Sequence, residues 1–114
     1  MCNATAMAWL LSDGRVLASA EVAGDRRARA KGLLGRDGID GALVLRPCRW
    51  VHTLGMQFPI DVAFCDRSLR VRRIVTLRRN RVTRPSLKGR IALEAEAGTF
   101  REMDLRRGDQ LEIR

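Results

Sequence analysis

The sequence predicts a mainly β fold: a small β-sandwich or squashed barrel with one short helix. Three observations predict it. Short apolar runs with period-two alternation recur along the 114 residues. Turn residues separate them at regular spacing. A single longer segment carries a capped helical pattern. The length fits one domain, residues 1–114. With 46% hydrophobic residues, three Phe, two Trp and no Tyr, the core must rest on Val, Leu, Ile and Ala, and a catalytic Tyr is excluded.

The elements follow in order. "AMAWLL" and "VLASAEVA" flank "SDGR" and form a hairpin, because Asp13-Gly14 supplies the positive φ angles of a primed turn. In "GDRRARAKGLLG", Asp25 is the N-cap, since its carboxylate accepts an orphan backbone N–H. Ala28, Lys31 and Leu34 follow at helical spacing, and Gly35 suits the C-terminal stop. Gly32 either permits close packing or marks an earlier helix end.

"GRDGIDG" is a loop, and "ALVLRP" a short strand ended by Pro47. "IDVAFCD" alternates, with Ile60, Val62 and Phe64 on one face and Asp61, Ala63 and Cys65 on the other. "LRVRRIVTL" places Leu69, Val71, Val75 and Leu77 on one face, with Arg73 as the exception. "RIALEAEAG" turns Ile91, Leu93, Ala95 and Ala97 inward and Glu94 and Glu96 outward. "TFREMDL" fits one helical turn, and "RRGDQLEI" a turn into a last strand. The helix is expected to pack on an end or edge of the sheet, covering unpaired strand groups.

Four stretches in sequence, "KGLLGR", "HTLGMQFPIDVAF", "LEAEAGT" and "RGDQLEI", resemble domain-of-unknown-function family 192. The resemblance runs from about Asp25 to Ile113 and implies a compact, mainly β domain of sandwich type. It implies no reaction. Many members carry a Trp-Met-x-Asn-Thr run where this chain has His52 to Met56, so a site using that Asn and Thr is not expected here. The following Pro-x-Asp is present as Pro59-Ile60-Asp61. The family's Arg before the glycine motif corresponds to Arg27 or Arg29, a choice the spacing leaves open.

Charge narrows the partner classes without choosing among them. The formal net charge is +9, from 22 basic residues of which only Lys31 and Lys88 are Lys. Such a field favours anionic partners, although heavy Arg use also follows from a GC-rich coding sequence. Ten basic residues and no acid lie between Arg67 and Leu93. Arg70, Arg72 and Arg78 share a strand face in the predicted alternation, and Arg79 and Arg81 extend them. This is the basis of an alternative function, sequence-independent binding of nucleic-acid phosphates. No aromatic lies in that stretch to stack bases, and no DNA-binding motif appears.

Cys2, Cys48 and Cys65 form no CxxC pair and suit reduced thiols in the cytoplasm. The N-terminus lacks the pattern of a signal peptide, and no stretch is long enough for a membrane span. The localisation expected is therefore cytoplasmic, whereas many members of the family it resembles are exported.

"WVHTLGMQFPID" is the densest polar cluster. His52 there is a candidate base or ligand, with Asp61 to orient it and Thr53 to donate. The structural alternative is a tight turn at Gly55, with Asp61 capping backbone N–H groups of a neighbouring loop. Cys48, His52 and Cys65 match no common zinc pattern, and no metal or cofactor is expected. Glu94 and Glu96 invite a glycosidase reading, but an ion pair with one of the many Arg is the simpler role for Glu94. The function expected is a binding or accessory domain without catalytic residues, for an unknown ligand or protein partner. Its ligand rim is formed by residues 46–61 and 26–41, with His52, Thr53, Asp61, Glu94 and Arg29 as ligand-binding candidates. A hydrolase or metal site around His52 is the second alternative.

Overall fold

A computed structural model describes residues 5–114; the Cys2 thiol lies outside them. Its strands are β1 (Thr5–Ser12), β2 (Arg15–Ala23), β3 (Ala42–Leu45), β4 (Ile60–Cys65), β5 (Val71–Leu77), β6 (Ile91–Glu96) and β7 (Leu111–Ile113), with helices α1 (Arg26–Lys31) and α2 (Thr99–Glu102). The strands form one sheet in the order β5-β4-β6-β3-β2-β1-β7. All neighbours are antiparallel except β2 and β3. A parallel pair needs a long crossover, and residues 24–41, including α1, provide it.

The sheet curls until its outer strands meet at one end. Val71 N–H donates to Asp109, Gly108 N–H to Val71 and Leu111 N–H to Leu69. The fold is thus a half-closed barrel, mainly β as the sequence predicts. Leu10, Ala20, Val44, Ala63, Cys65, Val71, Leu93 and Leu111 form one buried cluster, drawn from all seven strands, and Phe100 and Leu105 join it from α2 and its exit. A second cluster lies on the opposite face, where Leu43, Leu45, Ile60, Val62, Phe64 and Ala92 meet Leu33, Val51 and Met56 from the loops.

Local chemistry explains the elements. Asp13 and Gly14 both have positive φ, at 52° and 75°, as a primed hairpin turn requires. The Asp25 carboxylate caps α1 by accepting from the Ala28 N–H at 2.8 Å. The helix stops at Lys31, not at Gly35. Gly32 is the C-cap at φ 52° and ψ −127°, a conformation only glycine adopts readily, so the earlier of the two expected ends is correct.

Two strand expectations need correction. In β5 the apolar residues do not share one face. Cys65 pairs with Val71 but Phe64 with Arg73, so Arg72 is an extra residue that reverses the alternation. Val71 and Ile74 therefore face the barrel interior, and Val75 and Leu77 the other face. Arg73 shares that outer face, with its guanidinium 4.7 Å above the Phe64 ring and an N–H donated to the Arg84 carbonyl. In β6 the alternation holds and Glu96 is exposed, but the face assigned to water is covered at Glu94. Glu94 is only 4% exposed and forms no ion pair among the described residues.

Asp61 is buried near the start of β4, on the interior side. It accepts from Thr76 Oγ1 at 2.7 Å and from the Gly98 and Phe100 N–H groups at 2.9 and 3.2 Å. It therefore fixes the start of α2, whose Phe100 fills the barrel end. Replacing Asp61 with Ala removes all three bonds and strands the buried Phe100 N–H, and urea unfolding should show a loss of about 3 kcal/mol. An Asp61→Asn variant, which keeps one acceptor oxygen, should lose less.

Candidate ligand cavity

On the outer face, α1 and residues 45–60 enclose a cavity of about 620 Å³. Its apolar wall includes Leu33, Leu34, Leu45, Val51, Met56 and Ile60, and its basic residues are Arg26, Arg29, Lys31 and Arg49. Except for Leu45 and Glu94, every lining residue falls within 26–41 or 46–61, the two segments proposed as a rim.

Glu94 is the lining residue with unusual chemistry. It pairs across the sheet with Leu43 and Val62, beneath the end of α1. A Cβ added to Gly32 would lie 3.0 Å from its Oε1, so the glycine that ends the helix also leaves room for the carboxyl group. Burial pushes the Glu94 acid up to about 7, while the Arg36 charge and the Leu33 N–H act in the opposite direction. Arg36 is already engaged by Glu21 in a two-point bridge at 2.9 and 3.0 Å. Glu96 holds the same crossover farther along, accepting from the Ile39 N–H at 3.3 Å.

Of the predicted ligand residues, His52, Glu94 and Arg29 line the cavity, whereas Thr53 and Asp61 do not. Thr53 is buried and ties residues 50–54 to the next loop: its hydroxyl accepts from the Arg81 N–H at 2.9 Å and donates to the Arg78 carbonyl. Asp61 serves α2 and does not orient His52. The His52 Nδ1 accepts from the Leu54 N–H at 3.1 Å, and its ring lies beside Trp50, centroids 6.1 Å apart. Cys48 also lines the cavity, but its thiol contacts the Trp50 carbonyl at 3.2 Å. Burial, and then the Glu94 charge, push it up to about 11, far from a reactive thiolate. Cys65 is buried in the other cluster, its acidity pushed to about 12 mainly by burial. Among the described residues no three His, Cys, Asp or Glu side chains converge as a metal site would require.

The arginines of the phosphate-binding alternative are dispersed. Arg70 donates to the Gly108 carbonyl at 2.8 Å, and Arg72 bridges Asp66 at 2.8 Å. Arg78, Arg79 and Arg81 are exposed on the loop after β5. Sequence reasoning missed Arg26, Arg49, Trp50 and Met56 as individual lining residues. Their segments were recognisable by polarity, but nothing local distinguishes an apolar wall from ordinary core.

Two crystal structures share the fold. A protein of unknown function from Novosphingobium aromaticivorans is 17% identical, with TM-score 0.75 over 95% of this chain and 84% of that one. A protein from Sinorhizobium meliloti, described as "a putative transcription regulator", is 22% identical, with TM-score 0.81 over 99% and 98% of the two chains. No curated protein matches the sequence. The model of DUF192, a family described as "Uncharacterized ACR", matches residues 7–113. Neither the family nor the similar structures assign an activity, but the match spans nearly the whole chain, and the protein belongs to the DUF192 family.

Proposed function

We propose that the protein is a non-enzymatic binding domain whose ligand is a small amphipathic anion held in the cavity under α1. The observation that carries this reading is the composition of the lining: an apolar wall with four basic side chains around it. Small-molecule sites commonly combine an apolar pocket with a few polar groups that orient the ligand. Arg29 and Arg49 supply forked donors suited to a carboxylate, sulfonate or phosphate, while Leu33, Val51 and Met56 accept the apolar body. The absence of an activated thiol at Cys48, and the engagement of His52 Nδ1 by the backbone, favour binding over catalysis. Free thiols at Cys48 and Cys65 suit a reducing, cytoplasmic setting.

Glu94 makes this binding pH-dependent. Ionised, it repels an anion in the cavity; protonated, it does not. The fluorescent probe 8-anilinonaphthalene-1-sulfonate has the required apolar body and anionic group. It should bind more tightly at pH 6 than at pH 8, and Glu94→Gln should flatten that dependence. Arg29→Gln combined with Arg49→Gln should weaken it at least about tenfold, and Leu34→Trp, which fills the cavity, should abolish it. Unchanged fluorescence titrations in both of these variants would overturn the reading.

The unliganded protein carries a related signature. The Glu94 acid is near 7 when folded, against an ordinary value of 4.5. Between those values the folded state binds more protons than the unfolded state, so stability falls as pH rises through this window. The loss is about 3 kcal/mol when complete. Urea unfolding at pH 5 and pH 8 should show it, and Glu94→Gln should remove it and be the more stable protein at pH 8.

A further inference from the structure

The loop between β5 and β6 returns along residues 49–53 as an antiparallel ribbon. Thr53 N–H donates to Arg81, Thr83 N–H to Val51 and Ser86 N–H to Arg49, each at 2.8 Å, and His52 pairs with Val82. Val51, Thr53 and Thr83 point inward and are buried. The register places Trp50, His52 and Val82 on the opposite, outward side.

Exposed apolar residues run the length of the ribbon. Trp50 is 52% exposed and Val82 56%; Leu54, just past one end, is 49% exposed and Leu87, just past the other, 91%. Single exposed apolar residues are ordinary, but here four gather on one ribbon and its ends. Basic residues flank them: Arg46, Arg49, Arg79, Arg81, Arg84 and Lys88 are all exposed. No acid occurs in residues 41–60 or 67–93, the segments that build and flank the ribbon.

We propose that this ribbon docks on an anionic lipid bilayer. Leu87, Val82, Leu54 and Trp50 enter the interface, and the arginines and Lys88 meet the headgroup phosphates. Aliphatic anchors beside basic side chains are the chemistry of interfacial membrane binding. A nucleic acid would engage the same charges but would gain little from Leu87, Val82 and Leu54, and it would find one exposed aromatic on the ribbon to stack on. Arg49 and Trp50 also line the cavity, and variants at Leu87, Arg84 and Lys88, which do not line it, separate the two readings.

Co-sedimentation of the full chain with vesicles tests it. The protein should pellet with phosphatidylcholine vesicles doped with phosphatidylglycerol, not with pure phosphatidylcholine, and high salt should release it. In a Trp9→Phe background, Trp50 emission should shift to the blue on binding. Neutralising Arg84 or Lys88 with Gln should weaken the partition about fivefold each. Leu87→Asn should also weaken it, with an unchanged melting temperature because the side chain is exposed. Failure to pellet, equal binding to both vesicle types, or full binding by Leu87→Asn would overturn the proposal. Displacement from vesicles by duplex DNA, with DNA binding insensitive to Leu87→Asn, would overturn it in favour of a nucleic-acid surface.

Discussion

Strands β3, β6 and β4 have no wet side, and most of the architecture answers that constraint. Their backbones are satisfied by neighbouring strands, but their side chains need apolar cover on both faces. Curling supplies one cover, since residues from all seven strands meet inside the half-barrel. The other must come from chain outside the sheet, and the β2–β3 crossover together with residues 45–60 provides it. A short helix and irregular loops cannot tile a sheet face completely, and the cavity is the space left between them.

Carboxylates hold that cover down. Glu21 engages Arg36, Glu96 accepts from the Ile39 N–H, and Glu94 lies against Gly32. Each acid stands on a rigid strand and reaches a residue of the crossover. Glu21 and Glu96 reach water and act as ordinary polar contacts. Glu94 is different because it is buried and has no ion-pair partner among the described residues, so its charge is costly where the other two are well tolerated. A buried acid beside a cavity is a common sign of function, and Glu94 is the one acid among the residues that line this cavity.

Much of this was legible from local pattern. Asp13-Gly14, the Asp25 cap and the apolar runs located the hairpin, the helix start and the strands, and polarity outside the strands singled out the two segments that enclose the cavity. The rest depends on relations between distant residues. The extra residue at Arg72 reverses a strand's alternation without any change in composition. Glu94 reads as solvated because alternation reports which side of a sheet a residue takes, not whether another segment covers that side. Asp61 caps backbone N–H groups of a neighbouring loop, the structural alternative the sequence offers, but its partners lie at the start of α2, far along the chain, where no local pattern identifies them.

The crossover that walls the cavity carries few strand pairings of its own. Regions of this kind open by local unfolding at a fraction of the free energy needed to disrupt the whole fold. Lifting residues 24–41 breaks contacts to Glu21, Glu94 and Glu96 while the barrel interior, packed around Phe100 and Leu93, stays closed. The crossover wall of the cavity is therefore locally stable, its opening governed by its own anchors. That wall can open and reclose without disturbing the architecture beneath it.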